Sequence, residues 1–164
     1  MSKYQDLENK VVLVTGAGSG IGQALAIRFA EQGAKVAVND IDPASASSTA
    51  QQISDLGCSA LATPGDVSNS SDVSAMFDAA ESALGNVQIL INNAGLVGPM
   101  LHFFEADESW WRKIIDVNLT GHFLCAHRAA RPMARAGSGG LIDMSSGGAT
   151  RANRYLPATD TTHG

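Results

Sequence analysis

Five short apolar runs, separated by longer stretches with helical spacing, limit most tightly what this chain can fold into. The runs are Val11-Val12-Leu13-Val14, Val36-Ala37-Val38, Ala60-Leu61-Ala62, Val87 to Ile91 with Gln88 inside it, and Leu141-Ile142. Nearly continuous aliphatic runs of this length are the mark of strands covered on both faces. Between them, Ile21, Leu25 and Phe29 recur at i, i+4 and i+8 ahead of Gly33, a helical stop. Pro43 suits the first turn of a second helix reaching about Leu56, before Gly57. Ser70-Ser71-Asp72 offers caps for a third, with Val73, Met76, Phe77 and Ala80 on one face and Gly85 behind it. A fourth helical stretch runs from about Asp107 to Ala136, with a bend expected near Asn118 and Gly121 and a disturbance at Pro132. Strand–helix alternation at this spacing predicts right-handed βαβ units. The expected fold is α/β, a doubly wound parallel sheet forming a single domain over residues 1–164.

Composition removes several classes of function. The formal net charge is −5 and no Lys/Arg run exists, which disfavours a nucleic-acid or anionic-membrane partner. No stretch approaches the roughly 18 apolar residues of a membrane span, and the opening Met1 to Asp6 lacks the apolar core of a signal peptide, so a cytoplasmic location is expected. Cys58 and Cys125 match no CxxC spacing and read as free core thiols. His102, His122, His127 and His163 show neither HxxxH nor HExxH, so they read as packed or solvated and no metal is expected. Of the adjacent Trp110 and Trp111, one is expected in the core and the other toward a partner surface or a cleft.

The chemistry concentrates after the first strand, where Thr15-Gly16-Ala17-Gly18-Ser19-Gly20-Ile21-Gly22 precedes a helix. Glycines in a strand–turn–helix let the backbone approach a pyrophosphate, and the helix N-terminus supplies free N–H groups and a positive dipole end. The spacing is GxxxGxG rather than GxGxxG, and a tight turn without a ligand is the competing reading. The second strand ends at Asn39-Asp40, eighteen positions after Gly22. A carboxylate there can accept both ribose hydroxyls and repel a 2′-phosphate, which favours NAD over NADP. A solvated strand-end residue is the bland alternative.

Taken with Asp66-Val67, Asn92-Asn93-Ala94-Gly95, Val117-Asn118-Leu119-Thr120-Gly121 and Met144-Ser145-Ser146, that turn resembles the short-chain dehydrogenase/reductase family. The resemblance runs the whole length of the chain. It implies a Rossmann domain that moves hydride between a nicotinamide cofactor and a small alcohol or carbonyl substrate. By resemblance Gly16, Ser19, Gly20, Ile21 and Gly22 hold the pyrophosphate side, and Asp40 and Ile41 meet the adenosine ribose. Asp66 and Val67 meet the adenine, while Asn93, Ala94 and Gly95 meet the cofactor's middle. Asn118 and Ser146 take catalytic positions, Ser146 as the serine that hydrogen-bonds the substrate oxygen. Asn118 interrupts an otherwise apolar helical stretch, and a buried amide there must find partners or cost roughly 1–3 kcal/mol.

The pattern then fails. The family places a tyrosine thirteen residues after the serine and a lysine four further on, and this chain has Thr159 and His163 there. A phenol with an ordinary pKa near 10 is poised by a neighbouring ammonium, whereas a threonine hydroxyl has no comparable acidity. Tyr155 is nine residues after Ser146 and fits the role poorly. Asp143 is awkward in a buried strand, and Thr159, Thr161 and Thr162 are poor helix formers where the family has a helix. Departures crowd into the last ~25 residues, the pattern of an altered or truncated end that lacks the family's last helices and strands. Two readings stay open: an NAD-dependent oxidoreductase, and a nucleotide-binding fragment with little turnover. A third, another Rossmann-like enzyme such as a methyltransferase, is weakened by the Asn92-Asn93-Ala94-Gly95 and Asn118 matches. The fifth strand is expected to be an unpaired edge with poor solubility. The family's homo-oligomers would find only half their interface here.

Overall fold

The computed structural model describes residues 5–98, 101–147 and 157–163. After a 3₁₀ turn at Gln5–Leu7, the chain runs β1 (Val11–Val14), α1 (Gly20–Glu31), β2 (Lys35–Val38), α2 (Pro43–Asp55) and β3 (Ala60–Ala62). It continues through α3 (Ser70–Leu84), β4 (Ile89–Asn92), α4 (Glu108–Ile115), a π turn at Asp116–Thr120, α5 (Gly121–Ala136), β5 (Gly140–Asp143) and α6 (Pro157–His163). The five strands form one sheet in the order β3-β2-β1-β4-β5, and every pairing is parallel. This is the doubly wound Rossmann arrangement. The chain leaves β1 toward one side through β2 and β3, then crosses back to place β4 against β1's other edge. Ligands in such sheets bind at that reversal, outside the carboxyl ends of the strands.

Alternation along β1 explains the two-sided core. Val12 and Val14 pack with Ala26 and Ala30 of α1 and Ala46, Ala50 and Ile53 of α2. Val11 and Leu13 face the other way, onto Val73, Met76, Phe77 and Ala80 of α3 and Cys125, Ala129 and Met133 of α5. Burial among these side chains pushes the Cys125 thiol up to about 12. On the same layer Arg128 of α5 donates to Glu81 at 2.7 Å and to Asp78 at 2.9 Å, and its guanidinium lies 5.1 Å from the Phe77 ring centre. The carboxylates hold Arg128 above the ordinary guanidinium range, the Glu81 hydrogen bond first.

Several sequence expectations need correction. The helix expected from Ile21, Leu25 and Phe29 forms as α1, with Ile21 65% exposed, Leu25 and Phe29 half-buried against the core and Gly22, Ala26 and Ala30 fully buried. Close approach of a helix to a sheet favours the smallest side chains. The cap of α3 is Asn69, whose Oδ1 accepts the N–H groups of Ser71 and Asp72. Cys58 is half-buried, unlike Cys125. β4 starts at Ile89, two residues later than the apolar run suggests. The bend expected near Asn118 is a π turn, an extra residue in the helical ladder. Pro132 lies inside α5 without ending it; Gly137, at φ 66°, does. Of the tryptophan pair one is in the core as expected: Trp110 is buried and Trp111 is 37% exposed.

The threonine-rich end does form a helix, because Ala158 sits fully buried against Trp110 and Ile114. Asp143 escapes the burial problem because β5 is an edge among the described residues and its residues after Gly140 are exposed.

Candidate functional site

The carboxyl ends of β1, β2, β3 and β4 open into one cleft of about 770 Å³. Its floor and sides are Gly16 and Ser19 after β1, Asn39, Asp40 and Ile41 after β2, and Gly65, Asp66, Val67 and Ser68 after β3. Asn93, Ala94, Gly95 and Leu96 follow β4, and the opposite wall is Ser109, Arg112, Lys113, Asp116 and Val117 of α4 and the π turn. Nine of the twelve residues with predicted cofactor roles line this space; Gly20, Ile21 and Gly22 form the adjoining first turn of α1.

The glycine turn is a cradle that side chains would fill. Gly16 has φ +61°, and a Cβ there would lie 2.8 Å from the Ala94 Cα. A Cβ on Gly18 would meet Ser45 at 2.6 Å and the Asp40 carboxylate at 2.7 Å. Ser19 caps α1 in extended conformation without a side-chain cap bond. Ser19, which borders the cleft, thus leaves the first turn of α1 without a side-chain cap.

Asp40 closes the β2 side. Its Oδ2 accepts the Gly18 N–H at 2.9 Å and its Oδ1 accepts the Asp42 N–H at 3.1 Å. The half-buried carboxylate is thereby fixed at the rim beside the exposed Ile41. Asp66 is turned onto its own loop, where Oδ1 accepts the Ser68 N–H at 2.9 Å and the Ser68 hydroxyl at 2.7 Å. Val67 is buried against Gly121.

The loop after β4 is pinned from three elements. The Thr15 Oγ1 accepts the N–H groups of Asn93 and Ala94, each at 3.0 Å. The Asn93 Nδ2 donates to the carbonyls of Thr15 and Gly16 at 3.0 and 3.2 Å. From the π turn, the Asn118 Oδ1 accepts the Leu96 N–H at 2.7 Å and its Nδ2 donates to the Leu96 carbonyl at 3.0 Å. The buried amide thus finds its partners on a segment twenty-two residues away. From α5, the His122 Nε2 lies 3.0 Å from the Ala94 carbonyl.

The predicted catalytic positions are only partly gathered. Asn118 is buried and its Nδ2 also donates to the Thr162 hydroxyl at 3.4 Å, which joins the π turn to α6. Thr162 in turn donates to the Thr159 carbonyl at 3.0 Å. Thr159 itself is only 3% exposed. Ser146 lies on an exposed segment after β5, outside the lining of this cleft. His163 ends α6. Tyr155 lies outside the described residues. Sequence reasoning passed over His122, Leu96, Asn39, Arg112 and Lys113 as site residues, and used Thr15 only as part of the turn motif. Of these, Thr15 alone carried a signal, its place directly before the glycines. Asn39 is buried and donates to the carbonyls of Thr63 and Gly65 at 3.0 and 3.1 Å, which shapes the loop that carries Asp66. Among the described residues no cluster of three His, Cys, Asp or Glu could hold a metal ion, and no helix is long and apolar enough to cross a membrane.

Comparison with known proteins identifies the family. Residues 10–158 match the family described as short chain dehydrogenase. Cis-4-hydroxycyclohexanecarboxylate dehydrogenase of Sinomonas cyclohexanicum is 39% identical over 137 residues, 84% of this chain and 55% of its own length. The (2S)-[(R)-hydroxy(phenyl)methyl]succinyl-CoA dehydrogenase subunit BbsD of Thauera aromatica is 38% identical over 142 residues, 85% of this chain and 56% of its own. Cyclohexanol dehydrogenase of an Acinetobacter species, strain SE19, is 36% identical over 138 residues, 84% and 55% respectively. The chain spans about half the length of these curated relatives. With the parallel sheet, the glycine cradle and the residues of the β4 loop all in place, the chain belongs to the short-chain dehydrogenase family.

Proposed function

We propose that this chain binds NAD(H) in the cleft at the strand ends. We further propose that its family chemistry is hydride transfer between that cofactor and a small alcohol or ketone. The observation that carries the reading is the convergence of Gly16, Asp40, Asp66 and the Asn93–Gly95 loop on one cleft of about 770 Å³. The residues fit a dinucleotide: a turn free of side chains, main-chain donors at a helix N-terminus, and a carboxylate fixed at the β2 end. When bound, the cofactor supplies the hydride acceptor or donor. Asp40 would accept the ribose hydroxyls and disfavour a 2′-phosphate. Asn118 would hold the β4 loop against the cofactor's middle, and Ser146 would hydrogen-bond the substrate oxygen. The names of the relatives make ring-borne secondary alcohols the first substrates to try.

Proton transfer is the weak step. Thr159 and His163 stand at the family's tyrosine and lysine positions, and Thr159 is buried. An aliphatic hydroxyl does not exchange a proton near neutral pH as a poised phenol does, and loss of a positioned acid–base group lowers rates by roughly 10²–10⁴-fold. The second reading, binding with little turnover, rests on that.

Fluorescence titration separates the parts. NADH is expected to bind at least about tenfold more tightly than NADPH, about 1.4 kcal/mol, and Asp40→Ala to erase most of the difference. Equal affinity for the two, or no saturable binding, would sink the cofactor assignment. Oxidation of cyclohexanol with NAD at rates usual for enzymes, about 1 to 10³ per second, would refute the low turnover.

A further inference from the structure

His122 is one of four histidines that match no metal or catalytic spacing, yet its surroundings are specific. Its Nε2 lies 3.0 Å from the Ala94 carbonyl. A carbonyl only accepts, so this nitrogen carries the hydrogen and donates it. The ring's other nitrogen, Nδ1, faces the Asp143 Oδ1 at 3.8 Å, too far for a hydrogen bond. That same carboxylate oxygen accepts the Asn92 Nδ2 at 2.8 Å, and this amide nitrogen also donates to the His122 carbonyl at 3.1 Å. The Asn92 amide of β4 thus bridges the His122 main chain of α5 and Asp143 at the end of β5, while the ring itself reaches the Ala94 carbonyl. The His122 side chain is mostly shielded, at 17% exposure.

The position of this knot gives it a role. Ala94 lies in the loop that lines the cleft, and Asp143 lies three residues before Ser146. The loop's N–H groups are already held by Thr15 and Asn118, so the Ala94 carbonyl is the point at which α5 and β5 can act on it. We propose that His122, whose main chain is tied to Asp143 through the Asn92 amide, is a positioning residue that locks the cofactor loop to the end of β5. The inference rests on the cofactor reading for its consequence, though not for the coupling itself. Asp143 reaches the loop through Asn92, the last residue of β4, which it shares with the His122 main chain.

Native-state amide hydrogen exchange on the full chain tests the coupling without any ligand. In His122→Leu and in Asp143→Ala, exchange at the Ala94 and Leu96 amides should rise by about tenfold or more, while Leu13 and Val36 in the central strands hold their rates. His122→Gln, which keeps an N–H donor of similar reach, should stay within about threefold of the original at Ala94. No rise at either loop amide, a parallel rise in the central strands, or failure of glutamine to rescue would each overturn the proposal. A second arm uses NADH and AMP as probes. His122→Leu should weaken NADH about tenfold and leave AMP unchanged, because AMP reaches only the Asp40 and Asp66 end. Equal loss of both would overturn the proposal. If the unsubstituted chain binds neither probe, the cofactor reading falls and the exchange result alone decides the lock.

Discussion

Gly16 does two things that no other residue type does at once. It turns the backbone to φ +61° and leaves room for the Ala94 Cα, which a methyl group would approach to 2.8 Å. Gly16→Ala should therefore weaken NADH binding severely and lower unfolding free energy by about 1–3 kcal/mol, as strain plus overpacking. Calorimetric titration and denaturant unfolding read the two effects separately, and an alanine variant that binds normally would remove the cradle from the argument. This residue was legible in the sequence because glycine at a strand–helix junction has a local meaning. Asp40 was legible for a similar reason, its fixed distance from the turn. Thr15 was legible only as part of the turn, and His122 was not legible as a site residue, because its neighbours Ala94 and Asp143 lie 28 and 21 positions away along the chain. A histidine among apolar neighbours has no local signature of what it will meet. The same holds for Asn118: its polarity in an apolar stretch marked it, but not the Leu96 backbone that it serves.

Helices were found from the sequence more reliably than their faces. Periodicity placed α1 well, but its fully buried face is Gly22, Ala26 and Ala30, with Leu25 and Phe29 packed at the margin of the core and Ile21 exposed. Caps were likewise half-read, Asn69 being one residue ahead of the serines that drew notice. The start of α4 was read correctly at Asp107, which accepts the Trp110 N–H at 2.7 Å and the Ser109 hydroxyl at 2.7 Å. These bonds, the Trp110 N–H foremost, hold its carboxyl below the usual aspartate range. A carboxyl whose folded value is depressed contributes stability above its unfolded value and loses that contribution as pH falls through the folded one. The melting temperature should therefore drop between about pH 5 and pH 3, and the drop should be shallower in Asp107→Asn, which caps without titrating. Identical pH profiles in the two proteins would show that this cap does not contribute to the acid response. The helix α6 was misjudged from its threonines because propensity is outweighed by the burial of Ala158 against Trp110 and Ile114.

At the scale of the molecule, one side of the sheet is left accessible. Leu141 and Ile142 on β5 are 44% and 45% exposed, on a strand that is an edge among the described residues. Such an edge invites pairing between copies. Sedimentation velocity should show concentration-dependent association, reduced in Ile142→Lys, and a monomer at every concentration would contradict this. The parallel doubly wound sheet and its two-sided core were readable beforehand, because strand–helix alternation carries its handedness with it. What the alternation could not reveal is how α4 and α5 divide their work. The π turn between them adds one residue to a ladder of 3.6 per turn, so everything after it is rotated by about 100° relative to an unbroken helix. That phase offset lets one continuous rod serve two addresses, Trp110 and Ile114 facing α6 and Cys125, Ala129 and Met133 facing the sheet. Asn118 sits at the join. Its aim at Leu96 is thus set by residue count, and removing a single residue of the turn would re-aim the amide without changing any side chain.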